Sequence, residues 1–317
     1  MIRKVLALVG ALGLSVDIAG AASVAYYDLP AGAYPHDVAP ARDGTVWYTD
    51  QRAGLLGRLD PQTGKVEAIP LGAASAPHGV VVGPDGAAWV TDGGQDAIVR
   101  VDAVTRAVKT FRLPDGFSGA NLNTPAFDRR GTLWFTGQSG IFGRVDPASG
   151  KIDAWDAPKG TGPYGITATP RGDVWFASLA GDYIARIDAA SGAATVVAPP
   201  RSGVGPRRIW SDSQGLLWVS LWNSGEIGRY DPQTASWKTF RLPGSTAGCY
   251  AVFVDDRDRV WATDWQANAI VRFDPPTQGF ESFPSDRKGA DVRQLQGRRG
   301  EVWGGQSGLG RLVVIRD

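Results

Sequence analysis

A tryptophan followed by small or polar residues returns at Trp47, Trp89, Trp134, Trp175, Trp218, Trp261 and Trp303, at intervals of 42, 45, 41, 43, 43 and 42 residues. No other feature restricts the fold of this 317-residue chain as much. The same unit repeats around each Trp. An apolar run such as HGVVV is followed by a turn such as PDG or RRG, and then by the Trp segment (TVWYTD, AAWVTD, TLWFTG, DVWFAS, RVWATD). Next comes a segment ending in Arg-x-Asp (LLGRLD, AIVRVD, IFGRVD, YIARID, EIGRYD, AIVRFD), and a DPQTGK-like turn leads to a fourth run such as KVEAIPL or WKTFRLP. Short apolar runs bounded by Gly, Pro and Asp turns read as strands. Four of them per period of about 42 residues make one propeller blade.

Seven units fill the chain from residue 22 to 317, so one domain stands where this length would ordinarily divide into two. The sequence predicts an all-β, seven-bladed β-propeller with four antiparallel strands per blade. The last unit stops at LVVIRD with no fourth strand, while VAYYDLP (Val24 to Pro30) is a fourth strand with no unit before it. The N-terminal strand is therefore expected to pair with the last blade and close the ring, which also protects the sheet edges.

Residues 1–21 read as a secretory signal peptide. Arg3 and Lys4 precede an apolar stretch from Val5 to Val16, and Ala19-Gly20-Ala21 offers a small-residue cleavage site. The apolar stretch is too short to span a bilayer. The expected mature protein, residues 22–317, is periplasmic or secreted, with no membrane insertion, and a monomer. Its net charge is zero once Arg3, Lys4 and Asp17 are removed, so nothing marks it for nucleic acid. One Cys excludes an internal disulfide, and two His exclude any site that needs three.

A residue present in every blade serves the fold. The seven Trp are expected in the core, and the Arg-x-Asp pairs, together with Arg311 in the last blade, as repeated ion pairs on one strand face. Function belongs where the blades differ. Two positions vary from blade to blade, one 11 residues before each Trp and one three residues after it. The first holds His36, His78, Asn123, Tyr164, Arg207, Tyr250 and Val292, and the second Asp50, Asp92, Gly137, Ser178, Leu221, Asp264 and Gln306. The start of strand one and the end of strand two share a face, so both sets are expected to look into one channel mouth.

The two His share a slot in adjacent blades, and each is followed 14 residues later by Asp. His36, His78, Asp50 and Asp92 are therefore candidate metal ligands, with imidazole nitrogen and carboxylate oxygen as donors. His36, His78 and Asp92 are the candidate catalytic residues, a His beside an Asp being a general base near neutral pH. On the opposite arc Tyr164, Arg207, Tyr250, Trp222, Trp265 and Asp264 are candidate ligand-binding residues, with Arg207 placed for an anion or carbonyl of a small-molecule ligand. Cys249 reads as an inert small apolar residue.

The units PHGVVVGPDGAAWVTD and GPYGITATPRGDVWFAS, followed by IGR-type strands, resemble the streptogramin (virginiamycin B) lyases over nearly all of residues 22–317. The resemblance implies Mg²⁺-dependent elimination at an ester of a cyclic peptide antibiotic, a carbon–oxygen lyase reaction. In that family the catalytic His pair lies at the strand-one slot of the last two blades, with one acid two residues before the second His and another 14 residues after it. Here those positions read as Tyr250, Val292 with Asp291 beside it, Ala290 and Gln306. The His pair and a following acid recur instead in blades one and two, as His36, His78 and Asp92, with Ala76 at the earlier acid position. Three functions stay open on these residues: a metal-dependent lyase using the shifted pair, a non-catalytic exported binding propeller, and, last, a lactonase-type hydrolase, which would need more metal-binding acids and amides.

Overall fold

A computed structural model describes residues 22–244 and 248–317. The expected signal peptide lies outside the described residues. Within them the chain forms seven four-stranded antiparallel sheets, and no helix is long and apolar enough to cross a membrane. Six sheets run in chain order from strand one to strand four, and the seventh is closed as expected. Ser23–Asp28 pairs with Arg311–Arg316, from Ser23 opposite Arg316 to Asp28 opposite Arg311.

The innermost strands are Pro35–Pro40, Pro77–Val82, Leu122–Phe127, Pro163–Ala168, Pro206–Ser211, Cys249–Val254 and Val292–Arg298. Each touches the innermost strands of both neighbouring blades, so together they line a central channel. The seven repeated Trp are core residues, none more than 4% exposed. In four blades the indole N–H donates to the acid of the preceding turn: Trp89 to Asp85, Trp134 to Asp128, Trp218 to Asp212 and Trp261 to Asp255. Arg58, Arg144, Arg229 and Arg272 lie over the Trp of their own blade.

The repeated Arg are ion-paired, but mostly not to the expected partner. Among the described residues only Arg100 reaches the Asp two positions on. Arg58 pairs with Asp43, Arg144 with Asp153, Arg186 with Asp173 and Arg272 with Glu281. Asp60, Asp102, Asp146, Asp188 and Asp231 accept backbone N–H groups of the following turn. These Asp sit at strand ends, where turn amides have no ladder partner and a short carboxylate satisfies them. Arg311 is not the blade-seven equivalent either. Trp303 stands opposite Val314, and Arg311 instead packs on Tyr26 and pairs with Asp286.

The pairing of strands one and two is interrupted at the same place in every blade. Pro35 is opposite Asp50 and Val38 opposite Tyr48, leaving His36 and Asp37 in a bulge. The shift recurs in the other six blades, between Pro77 and Val80, Leu122 and Pro125, Pro163 and Ile166, Pro206 and Ile209, Cys249 and Val252, and Val292 and Leu295. A bulge breaks the alternation of side chains and frees an N–H that the ladder would have used.

In five blades a hydroxyl of strand two takes up that N–H. Thr49 accepts from Asp37 N–H, Thr91 from Gly79, Thr136 from Thr124, Ser220 from Arg208 and Thr263 from Ala251. Four of these hydroxyls donate onward to the slot residue's carbonyl in the next blade: Thr49 to His78, Thr91 to Asn123, Thr136 to Tyr164 and Ser220 to Tyr250. One small polar side chain therefore satisfies a bulge and ties two blades together. Gly79 suits this close approach, because a Cβ there would lie 2.4 Å from the Asn123 carbonyl oxygen. Thr91→Val keeps the shape and leaves a buried donor and a buried acceptor unpaired. It is expected to cost about 1–3 kcal/mol in urea denaturation. Thr63→Val, which removes exposed bonds to Asp60 and from Lys65 N–H, is expected to cost much less.

Candidate functional site

The bulge turns two consecutive residues of each inner strand toward the channel. The upper ring is His36, His78, Asn123, Tyr164, Arg207, Tyr250 and Arg293. Arg293, not Val292, holds the last place. In blade one the residue opposite Trp47 is Ala39, three after His36. In blade seven the residue opposite Trp303 is Gln296, three after Arg293. The blade-seven hairpin is one residue shorter, so counting back from its Trp lands one residue early.

Below this ring Asp37, Thr124, Arg208 and Gln294 form a second polar layer. Arg208 crosses from blade five to blade one and holds Asp37 with both terminal nitrogens, at 2.8 and 3.2 Å. It also donates to the Thr124 hydroxyl at 2.8 Å. Gln294 accepts from Val38 N–H, joining blades seven and one. Under this layer the channel widens into a cavity of about 260 Å³, lined by Asp37, Arg208 and Gln294 at the polar end and by Phe127, Trp210 and Leu295 among its apolar walls.

The two imidazoles meet as the sequence predicts, with ring centroids 3.9 Å apart. His36 Nδ1 is 2.9 Å from Asp37 Oδ1, to which a neutral ring donates. His78 Nε2 is 3.2 Å from the Asn123 amide nitrogen, a donor, so the His78 proton lies on Nδ1, which has no partner. Both rings are held neutral. Burial pushes the His36 pKa well below its ordinary value, and the charges of Arg208, Arg293 and Arg207 push it further. His78 is lowered by burial and by His36 beside it.

Asp50 and Asp92 do not join the His pair. Asp50 accepts from the backbone N–H of Tyr34 and Ala53. Asp92 accepts from Ala76, Gly94 and Gln95 N–H and from the Ser75 hydroxyl. Asp264 likewise accepts from Gly244 and Ala267 N–H. A buried carboxylate needs several donors, and the loop amides around each supply them. The carboxylate of the imidazole cluster is Asp37. Its ligand atom and those of His36 and His78 lie within 4.8 Å of one another. The signal for it was an acid next to His36, but strand alternation points adjacent residues to opposite faces, and only the bulge brings Asp37 inward.

This cluster does not fit Mg²⁺. That ion takes an octahedron of oxygens. The cluster offers two nitrogens and one carboxylate, already held bidentately by a guanidinium that would repel a second cation.

The aromatic residues do assemble as predicted. Tyr250 stacks on Trp265 with centroids 4.7 Å apart, and Trp222 meets both edge-on at 5.4 Å. Arg207 lies over Tyr250 at 3.5 Å, with Tyr164 at 4.4 Å and Trp222 at 4.9 Å. Arg293, which sequence counting missed, lies 5.8 Å from the same Tyr250 ring and 5.1 Å from Trp265. Tyr164 and Tyr250 share a 2.6 Å hydroxyl bond. Burial alone would raise the Tyr164 pKa, but the charges of Arg207 and Arg208 and bonds from Tyr250 and Arg207 bring it below the ordinary value. Tyr250 is raised, by burial and by Tyr164. Cys249 is fully buried and burial pushes its thiol up, consistent with an inert side chain.

The model of the virginiamycin B lyase family matches residues 15–136 and again residues 72–316. The chain belongs to the virginiamycin B lyase family. A solved streptogramin B lyase superposes with a TM-score of 0.84 at 22% identity, over 93% of this chain and 97% of the other. Virginiamycin B lyase from Staphylococcus aureus superposes with a TM-score of 0.85, also at 22% identity, over 93% and 99%. A catalytically inactive variant of that S. aureus lyase, solved with quinupristin, gives the same values. Likeness at this identity establishes the shared propeller. A sequence search of curated proteins returns no match. With the blade-seven register corrected, the places that the family resemblance assigns to the His pair hold Tyr250 and Arg293, and the acid place two residues earlier holds Asp291 rather than Ala290.

Proposed function

We propose that this virginiamycin B lyase family member is an exported binding propeller. Its small-molecule ligand sits at the channel mouth on Trp222 and Trp265, which Tyr250 backs, beside Arg207. The observation that carries this reading is the division of the ring. Blades five to seven present the half-buried Trp222, Trp265, Arg207 and Arg293 around the buried ring of Tyr250, while His36, His78 and Asp37 are buried and their bonds are spent inside the protein, His36 on Asp37, His78 on Asn123 and Asp37 on Arg208. Aromatic walls with a few convergent polar groups are what small-molecule sites use.

A second reading, carbon–oxygen bond elimination, is favoured by the His36–Asp37 contact, which orients the imidazole as a base. Two facts weaken it. Arg208 offsets the Asp37 charge, and a strongly depressed imidazole is a weak base.

The test is a thermal-melt screen of small molecules. Compounds that stabilise the wild type are expected to lose most of their effect in Trp222→Ala, a loss of about 2 kcal/mol or more for a binding-site Trp. They are expected to keep it in His36→Ala/His78→Ala. Retention in the Trp variant and loss in the His variant would refute the binding reading and support elimination. In the same assay Mg²⁺ is expected to leave the melting temperature unchanged, whereas a bound metal at 100 times its dissociation constant would add about 2.7 kcal/mol. A Mg²⁺ shift abolished in the His variant would restore a metal site.

A further inference from the structure

We propose that the ligand of this mouth is an anion, an oxyanion group carried on a planar apolar body, clamped between Arg207 and Arg293 beside Trp222 and Trp265. This rests on the binding reading and specifies its ligand class. The channel rings carry three guanidiniums, Arg207, Arg208 and Arg293, and a single carboxylate, Asp37, which Arg208 takes. Arg207 and Arg293 form no ion pair with any described residue. Their side-chain bonds go to phenol hydroxyls rather than carboxylates: Arg207 to Tyr164 and Arg293 to Tyr34, each at 2.9 Å, with Tyr250 a further partner of Arg293. In both, Nε is buried without a partner.

Of the other acids at this end of the ring, Asp50 and Asp264 accept from loop amides, and Asp291 lines a small pocket behind Trp265 with Asn268 and Gln306 and forms no ion pair with either arginine among the described residues. Two guanidiniums at 3.5 and 5.8 Å from one aromatic ring repel each other and are poorly hydrated there. An oxyanion between them relieves both costs and supplies the missing acceptors. Trp222 and Trp265 continue the wall and take a flat apolar body next to the charge. The His pair feels the same field, since both arginines depress His36.

The experiment is titration calorimetry of the full protein at low ionic strength with phenylacetate, phenyl phosphate and the neutral phenylacetamide. At least one anion is expected to bind about tenfold or more tighter than the amide, and the preference is expected to shrink with added salt. The better of the two identifies the oxyanion. Arg207→Gln/Arg293→Gln is expected to remove the preference while its melting temperature shows that it folds. Equal binding of acid and amide, lost in Trp222→Ala, would overturn the anion proposal and leave the aromatic mouth standing. Failure of all three probes to bind would overturn both.

Discussion

Asp37→Ala is expected to destabilise the protein by about 3–5 kcal/mol, the cost of leaving a buried charge without its partner. Asp37 is 1% exposed and Arg208 4% exposed. Their pairing joins blade one to blade five across the channel, 171 residues apart in sequence. Without Asp37 the Arg208 guanidinium keeps only the Thr124 hydroxyl as a described partner, in a ring that already holds two unpaired guanidiniums. The neighbouring cavity of about 260 Å³ can admit water to the stranded charge, which favours the lower end of that range. The double variant Asp37→Ala/Arg208→Met removes both charges and is expected to regain most of the loss, because a buried pair and an apolar replacement are often close in energy. Urea denaturation of the wild type and the three variants checks this. An Asp37→Ala protein within 1 kcal/mol of wild type would show the ion pair to be solvated through the channel.

The second large effect is a loss of stability in mild acid. His36 and His78 have folded pKa values well below 6.5, so the unfolded chain binds their protons first. Stability is then complete above the unfolded value and falls as pH drops below it, by about 1.4 kcal/mol per pH unit for each imidazole. Between pH 6 and pH 5 the two together take away up to about 2.7 kcal/mol. The groups facing them are Asp37, Arg208, Arg207, Arg293, Asn123 and Tyr164. Protonation therefore adds charge to a ring that is already cationic. Carboxylates with lowered pKa, such as Asp43 and Asp85, act on the acid side of their ordinary range, below this window. Urea midpoints at pH 7.5, 6.5, 5.5 and 5.0 are expected to fall steeply in wild type and much less in His36→Asn/His78→Asn. An equal slope in both proteins would place the acid sensitivity elsewhere.

Local spacing carried much of the architecture. The Trp period predicted seven blades, and the incomplete last unit predicted the closure by Ser23–Asp28, because each strand and turn is specified by neighbours a few residues away. The same regularity placed His36 beside His78 and brought Tyr164, Arg207, Tyr250, Trp222 and Trp265 to one arc. Where the count met an irregularity it failed. The shorter blade-seven hairpin hid Arg293 behind Val292, and with it the second unpaired guanidinium of the mouth. A gapped alignment of RQLQGRRGEVW against HDVAPARDGTVW could have exposed it.

The acids show the sharper division. Sequence by itself determined the blade count, the ring closure, the buried Trp and, in six of the seven blades, the residue of the upper channel ring. Only the tertiary structure decided what those residues do. It turned Asp37 inward through a bulge, gave Asp50, Asp92 and Asp264 to loop amides, and brought Arg208 across the ring to Asp37. The physical reason is range. A repeat encodes contacts within a hairpin and between adjacent hairpins, whereas a buried charge takes whichever donor the closed ring places nearest, and that donor can come from the far side of the chain.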